Sequence, residues 1–97
     1  MTEAGKEIIM MFKKKGKFTT AGNREYWEEL YFEQGKIICA GGGTNGGYEE
    51  YRDEISEEQA LNKLKTYFKY KALVFDRDKR VESDEEVLNY WKDNPYA

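Results

Sequence analysis

The chain has 97 residues, of which 36% are charged and 15% aromatic, and its formal net charge is −3. This length predicts one domain over residues 1–97, and the aromatic content excludes an intrinsically disordered chain. Because no apolar run is long enough to span a membrane and the N-terminal residues lack the features of a secretory signal, we expect a cytoplasmic protein with no membrane partner.

The first half of the chain predicts strands. Lys6–Lys14 contains the apolar run Ile8–Phe12, which has the length of a strand covered on both sides. Residues 24–33 are rich in aromatics and fit a strand, although their spacing also fits a helix. A Gln34-Gly35 turn followed by the apolar stretch Lys36–Ala40 favours a hairpin here.

The second half carries two helix-start signals. Ser56-Glu57-Glu58-Gln59 has the pattern of a capping box, and apolar residues at helical spacing then predict a helix over Glu57–Tyr70. Lys71–Asp76 has strand-like composition. A second capping box at Ser83-Asp84-Glu85-Glu86 predicts another helix, which ends near Asn94-Pro95.

Together these elements predict an α+β fold. The expected architecture is a small antiparallel sheet of three to five strands with two capped helices packed on it. The predicted order along the chain is βββ(β)αβα.

Glycine occupies five of the seven positions in Gly41–Gly47. The run matches G-x-G-x-x-G in form, but a dinucleotide site also needs a helix at the end of the loop, and a phosphate loop needs a following lysine. The acidic residues in 48–54 would repel a pyrophosphate. We therefore expect no nucleotide cofactor and interpret the run as a mobile hairpin tip, with a binding site as the alternative.

The residue inventory indicates a non-enzymatic protein. The chain has no histidine, which removes the commonest general base and metal ligand. Its one cysteine, Cys39, can form neither a catalytic pair with histidine nor a zinc site, and a buried strand position is expected for it. Neighbouring acids such as Glu28 and Glu29 are typical of a surface. We predict no catalytic, metal-binding or cofactor-binding residues.

One stretch of the chain has an arrangement known from a family of small domains. It combines aromatic Tyr26–Phe32, apolar Lys36–Ile38, the loop Gly43–Gly46 and a helix that opens with Ser56–Ala60. This arrangement resembles the WGR domain of poly(ADP-ribose) polymerases and bacterial regulators. The resemblance implies an antiparallel sheet crossed by a helix. The Trp-Gly-Arg signature itself falls on Cys39, Ala40 and Gly41, so no DNA-contact role is implied at those positions.

Charge alternates along the chain. Residues 1–24 and 59–80 carry net charges of +4 and +5, whereas 25–58 and 81–97 carry −8 and −4. The segments can pair with one another in the fold or form separate charged patches.

Two functions follow from these patterns. The first is a regulatory protein-interaction module, whose candidate partner contacts are Trp27, Glu28, Tyr48, Glu49, Glu50 and Tyr51. The second is nucleic-acid binding through the basic segment Lys13–Lys17 and the basic helix Lys63–Lys71, where lysines alternate with aromatics. The candidate nucleic-acid contacts are Lys13, Lys14, Lys15, Lys63, Lys65 and Lys69.

Overall fold

A helix, a four-stranded sheet and two further helices follow one another along the chain. The computed structural model describes residues 1–22, 25–43 and 48–95. Within them the elements are α1 (Glu3–Lys15), β1 (Lys17–Gly22), β2 (Trp27–Glu33), β3 (Lys36–Gly42), β4 (Tyr51–Ile55), α2 (Glu57–Phe75) and α3 (Asp84–Asp93). The predicted α+β class with a small antiparallel sheet and packed helices is confirmed.

The predicted strand over Lys6–Lys14 is wrong, because this segment lies in α1. The buried residues of α1 are Gly5, Ile8, Ile9 and Phe12, which form one stripe at helical spacing. Met10 lies within the apolar run but is 68% exposed. An unbroken apolar run does not distinguish a buried strand from a helix, so the helical spacing of the buried residues could not be recognised from the sequence.

The predicted strand over Lys71–Asp76 is also wrong, since α2 continues to Phe75. Ala72 is fully buried and extends the core stripe of α2 by one more turn beyond Phe68. The helix stops where Arg77 and Asp78 adopt positive φ values of 53° and 60°. The observed order is therefore αββββαα rather than βββ(β)αβα.

Local signals in the middle of the chain are confirmed. β2 and β3 form the predicted hairpin, and Gln34 and Gly35 at its turn have φ values of 51° and 75°. Both capping boxes are present. The Ser56 hydroxyl accepts from the Gln59 N–H and the Gln59 side chain accepts from the Ser56 N–H, and the second box at the start of α3 repeats this pattern.

The sheet has the strand order β1-β2-β3-β4, so that β1 and β4 are its edges. Leu30, Ile37 and Cys39 on one face of the sheet belong to the core cluster that includes the buried residues of the helices. Cys39 is 3% exposed on β3, as predicted. Phe18 on β1 packs against Phe68 of α2, with 5.5 Å between ring centroids. None of the described helices is long and apolar enough to cross a bilayer.

The glycine run divides between a strand and a segment outside the described residues. Gly41 and Gly42 are buried and end β3. A Cβ on Gly41 would collide with the Tyr51 ring and the Trp27 carbonyl, so this position requires glycine for close packing. These two residues thus belong to strand β3 rather than to the tip of a hairpin. The rest of that prediction falls mainly on residues 44–47, which lie outside the described residues.

Candidate functional site

A carboxylate on the helix-covered face of the sheet is the centre of a polar network. Glu28 is 8% exposed and receives four hydrogen bonds. The Thr20 hydroxyl donates to Oε1 at 2.7 Å, and Oε2 accepts from the Tyr51 hydroxyl at 2.9 Å and from Tyr26 and Lys63 at 3.1 Å each. The Tyr26 and Tyr51 hydroxyls also contact each other. Donors on three elements and the β1–β2 connection thus converge on one side chain.

The network keeps Glu28 ionised. Burial alone would raise its pKa, but the hydrogen bonds from Thr20, Lys63 and Tyr51 outweigh burial and lower the pKa to about 2. Burial lowers the pKa of Lys63, but the neighbouring Glu28 carboxylate reverses this effect and leaves it raised. Burial, with the contacts to Tyr26 and Glu28, raises the pKa of the Tyr51 phenol. At neutral pH Glu28 is therefore a fixed acceptor and a weak base.

Local backbone features position these groups. Glu28 pairs across the sheet with Gly41, and Gly41 pairs with Tyr51 on β4. Because Gly41 has no side chain, the Tyr51 ring can lie over it and carry its hydroxyl to Glu28. On the other side of β2, the register of β1 shifts between Thr19 and Ala21. This bulge leaves Thr20 beside Glu28, where its hydroxyl donates.

A groove between β1 and α2 begins at this network. A cavity of about 440 Å³ is lined by Thr20, Glu28, Asn62, Lys63, Thr66, Tyr67 and Tyr70. A second cavity of about 470 Å³ shares Thr20, Tyr67 and Tyr70 with it and adds Thr19, Ala21, Gly22, Lys71 and Phe75. We call the two together the β1–α2 groove. Its size falls in the range of protein ligand sites.

The last turns of α2 carry exposed apolar side chains, two of which, Tyr70 and Phe75, line the groove. Four large side chains in the last turns of α2 face solvent: Tyr70 (56% exposed), Leu73 (39%), Val74 (51%) and Phe75 (67%). We call these four residues the α2 apolar end. The Lys71 ammonium lies 4.5 Å from the centroid of the Phe75 ring, in cation–π contact, and forms no ion pair with any described residue.

The predicted partner contacts do not form one surface. Trp27 and Glu28 are consecutive strand residues and so lie on opposite faces of the sheet. Glu28 is enclosed by its four donors, whereas Tyr48 is 74% exposed. Tyr51 is half-buried in the Glu28 network. Glu49 and Glu50 are exposed just before β4.

The predicted nucleic-acid contacts are also divided. Lys13 pairs with Glu57 at 2.6 Å, Lys63 with Glu28 at 3.1 Å and Lys65 with Asp84 at 2.6 Å. Lys14 and Lys15 are exposed at the end of α1, and Lys69 is half-buried.

The angular spacing of an α-helix separates the basic residues of α2 further. Lys63 lies about 200° around α2 from Lys65, so the two face opposite sides of the helix. Oppositely charged segments of the chain therefore pair with each other across the fold, and the lysines of α2 do not form a single basic face.

The acidic side chains and Cys39 are the groups whose arrangement bears on metal binding and nucleophilic chemistry. The described residues contain no cluster of three or more acidic or cysteine side chains able to hold a metal ion. Burial, with the nearby Glu28 carboxylate, raises the pKa of the Cys39 thiol to about 11, which disfavours the nucleophilic thiolate.

Comparisons with known proteins leave the family of this chain open. No family model, no curated protein and no solved structure matches it. The resemblance to a WGR domain stays a prediction.

The sequence did not predict the groove. Thr20, Lys63 and the residues of the α2 apolar end are far apart along the chain, and only the packing of α2 beside β1 brings them together. One signal was present: Leu73, Val74 and Phe75 follow the last buried position of α2, Ala72. In a continued helix these apolar residues exceed what one buried stripe can hold.

Proposed function

We propose that the protein is a non-enzymatic interaction module that binds another protein through the β1–α2 groove and the α2 apolar end. The observation that carries this proposal is the pair of large aromatic side chains, Tyr70 and Phe75, that contact each other and are exposed along the groove. Exposed apolar residues scattered singly are ordinary, as Met10 on α1 illustrates. Contiguous apolar patches next to a concave surface are typical of protein interfaces.

The composition of the patch supports the same function. Tyr70 and Phe75 supply aromatic area, and their rings lie 6.2 Å apart in an edge-to-face contact. Aromatic residues are enriched among those that dominate binding energy at interfaces. Lys71 beside them adds a positive charge at the rim, which favours a partner with acidic groups. The reduced, buried Cys39 is compatible with the cytoplasmic location that we propose for the module.

Nucleic-acid binding has weaker support. Three of the six candidate lysines already form ion pairs within the protein. A nucleic-acid site needs several unpaired cations on one surface, because contacts to phosphates supply most of its affinity.

Photo-cross-linking in the host cell tests the proposal. A photoreactive phenylalanine analogue placed at Tyr70 or Phe75 should give a discrete protein adduct, identified by mass spectrometry. The same analogue at Met10, which is equally exposed on α1, is the matched control. The proposal requires that the Phe75 adduct disappears when Val74 is changed to Glu.

The alternatives give different results. An adduct that also forms from Met10, or none from Tyr70 and Phe75, would contradict a protein interface at this site. Salt-dependent binding of the purified chain to single- or double-stranded DNA or RNA, lost between about 50 and 200 mM salt, would favour the nucleic-acid function.

A further inference from the structure

β1 is an edge of the described sheet, so no strand there pairs with its outer side. The Phe32 N–H donates to the Gly16 carbonyl at 2.9 Å, which fixes the direction of the backbone where β1 begins. Backbone groups alternate in direction along an antiparallel strand. Phe18 therefore directs its N–H and C=O toward β2, and Thr19 directs both groups away from it. Thr19 is exposed at this edge.

The groove follows this edge. Thr19 follows the core residue Phe18 and so directs its side chain to the other face of the sheet, whereas the bulge places Thr20 beside Glu28 on the helix-covered face. Both nevertheless line the same cavity, together with Ala21 and Gly22. A cavity that contacts consecutive residues of a strand runs along its edge, where the backbone is accessible.

The opposite wall of the groove offers positions for side chains. Tyr67, Tyr70 and Phe75 of α2 line it with aromatic surface. Lys71 stands between them, with its ammonium 5.7 Å from the centroid of the Tyr67 ring. The Lys63 charge at the other end of the groove is compensated by Glu28. Lys71 is therefore the cation in the described part of the groove that remains open to a carboxylate of a ligand.

We propose that the partner contributes an extended polypeptide segment that adds to the outer edge of β1 as a fifth strand. This inference rests on the proposed function and names the form of its ligand. Exposed strand edges accept added strands through main-chain hydrogen bonds, and pockets for alternate side chains supply specificity. The segment bonds to the Thr19 backbone, packs alternate apolar side chains on Tyr67 and Tyr70, and places an acidic residue near Lys71.

Charge argues for a foreign segment over a second copy of this chain. Pairing β1 with β1 of another copy would add a second Lys71, and no new acidic group, to the one shared interface. The acidic segment proposed here meets no such repulsion. Self-association through β1 is accordingly an outcome that would contradict the inference.

Peptide selection provides the probe. Random twelve-residue peptides displayed on phage are selected on the full chain, with counter-selection on a Lys71→Glu, Phe75→Ser double variant. The inference predicts enriched sequences in which apolar residues alternate and at least one Asp or Glu is present. A selected peptide, made synthetically, then serves in all later measurements.

Amide hydrogen exchange of the complex distinguishes strand addition from other modes of binding. The Thr19 amide should become protected when the peptide binds, whereas the Phe18 amide, already paired with β2, should change little. Thr19→Pro removes the donor and should weaken peptide binding about tenfold, while Thr19→Ala keeps it and should change affinity less than about twofold. Circular dichroism checks that both variants fold. If Thr19→Pro does not fold, protection of the Thr19 amide in the unmodified chain decides whether the peptide adds as a strand.

The remaining outcomes test strand addition independently of the proposed function. Peptides that bind as helices, or without protection of Thr19, overturn strand addition and leave the groove as a protein-binding site. A selection that enriches no peptide, or self-association through β1 in sedimentation measurements, also overturns strand addition. The cross-linking at Tyr70 and Phe75 then decides separately whether the proposed function holds.

Discussion

The two parts of α2 place apolar residues in opposite environments. From Ala60 to Ala72 the apolar residues other than the exposed Tyr70 repeat at helical spacing and pack in the core, where Phe68 is fully buried. From Leu73 to Phe75 the apolar residues are consecutive and exposed. The first part has its capping box and the Lys63–Glu28 ion pair to fix it on the sheet. The last turn has no comparable attachment among the described residues.

This difference distinguishes the apolar residues of α2 that stabilise the fold from those that do not. Burial of the first stripe stabilises the fold because apolar area is removed from water. The α2 apolar end keeps comparable side chains in water and so adds little to folding stability. We propose that these side chains are buried against another molecule.

The sharpest test of the comparison is Phe68→Ala. Phe68 contacts Phe18 and Trp91, and the cavity left by its truncation should lower the free energy of unfolding by about 3–5 kcal/mol. Urea denaturation followed by tryptophan fluorescence measures this change. A loss below about 1 kcal/mol would show that the buried part of α2 does not contribute to folding stability as this comparison requires.

The next effect is expected for Glu28→Gln, which weakens the attachment of Lys63 to the sheet. We expect a loss of about 1–3 kcal/mol at neutral pH, because a charge-assisted hydrogen-bond network is disrupted. The pKa of Glu28 is lowered from 4.5 to about 2 by its donors, so its contribution is present above pH 4.5 and is lost as pH falls toward 2. The variant should therefore show a flatter decline of stability between these values.

The control for this pH dependence is Glu82→Gln, which changes an exposed carboxylate. It should leave the acid limb of the stability profile unchanged. Equal flattening by the two substitutions would mean that the network does not set the acid limb.

A smaller effect is expected at the start of α2. Ser56→Ala removes the hydroxyl that accepts from the Gln59 N–H and should cost about 1 kcal/mol of unfolding free energy. Ser56→Asp preserves an acceptor and should restore most of that stability. If neither substitution changes the urea midpoint, the cap does not contribute to fixing the first part of the helix.

The smallest change in stability is expected at the other end of the same helix. Phe75→Ser should alter the free energy of unfolding by less than about 0.5 kcal/mol, since the side chain is largely in water already. The same substitution should abolish the cross-link formed from Tyr70. A loss of stability like that of Phe68→Ala would place Phe75 with the core and remove the basis for the comparison.

Structural features that depend on a few neighbouring residues could be predicted from the sequence. The two capping boxes and the Gln34-Gly35 turn depend on contacts within four residues, and all three formed as predicted. The hairpin of β2 and β3 followed from that turn and its flanking apolar residues.

Structural features that depend on tertiary packing could not be predicted from the sequence. Met10 and Met11 fill the gaps in the stripe of α1, so the sequence showed a strand-like run in place of a helix face. The composition of residues 71–76 likewise favoured a strand, and only the burial of Ala72 beneath the core shows why the helix continues. The Glu28 site depends on the bulge at Thr20, which no local sequence pattern predicted.

The buried thiol of Cys39 gives this molecule an internal reporter of its own opening. The thiolate attacks alkylating reagents, and both the raised pKa of about 11 and the 3% exposure suppress that reaction in the closed state. Labelling must then proceed through fluctuations that separate the central strand from its cover. Its rate under native conditions therefore reads out the opening equilibrium of the sheet, without any engineered dye or added cysteine.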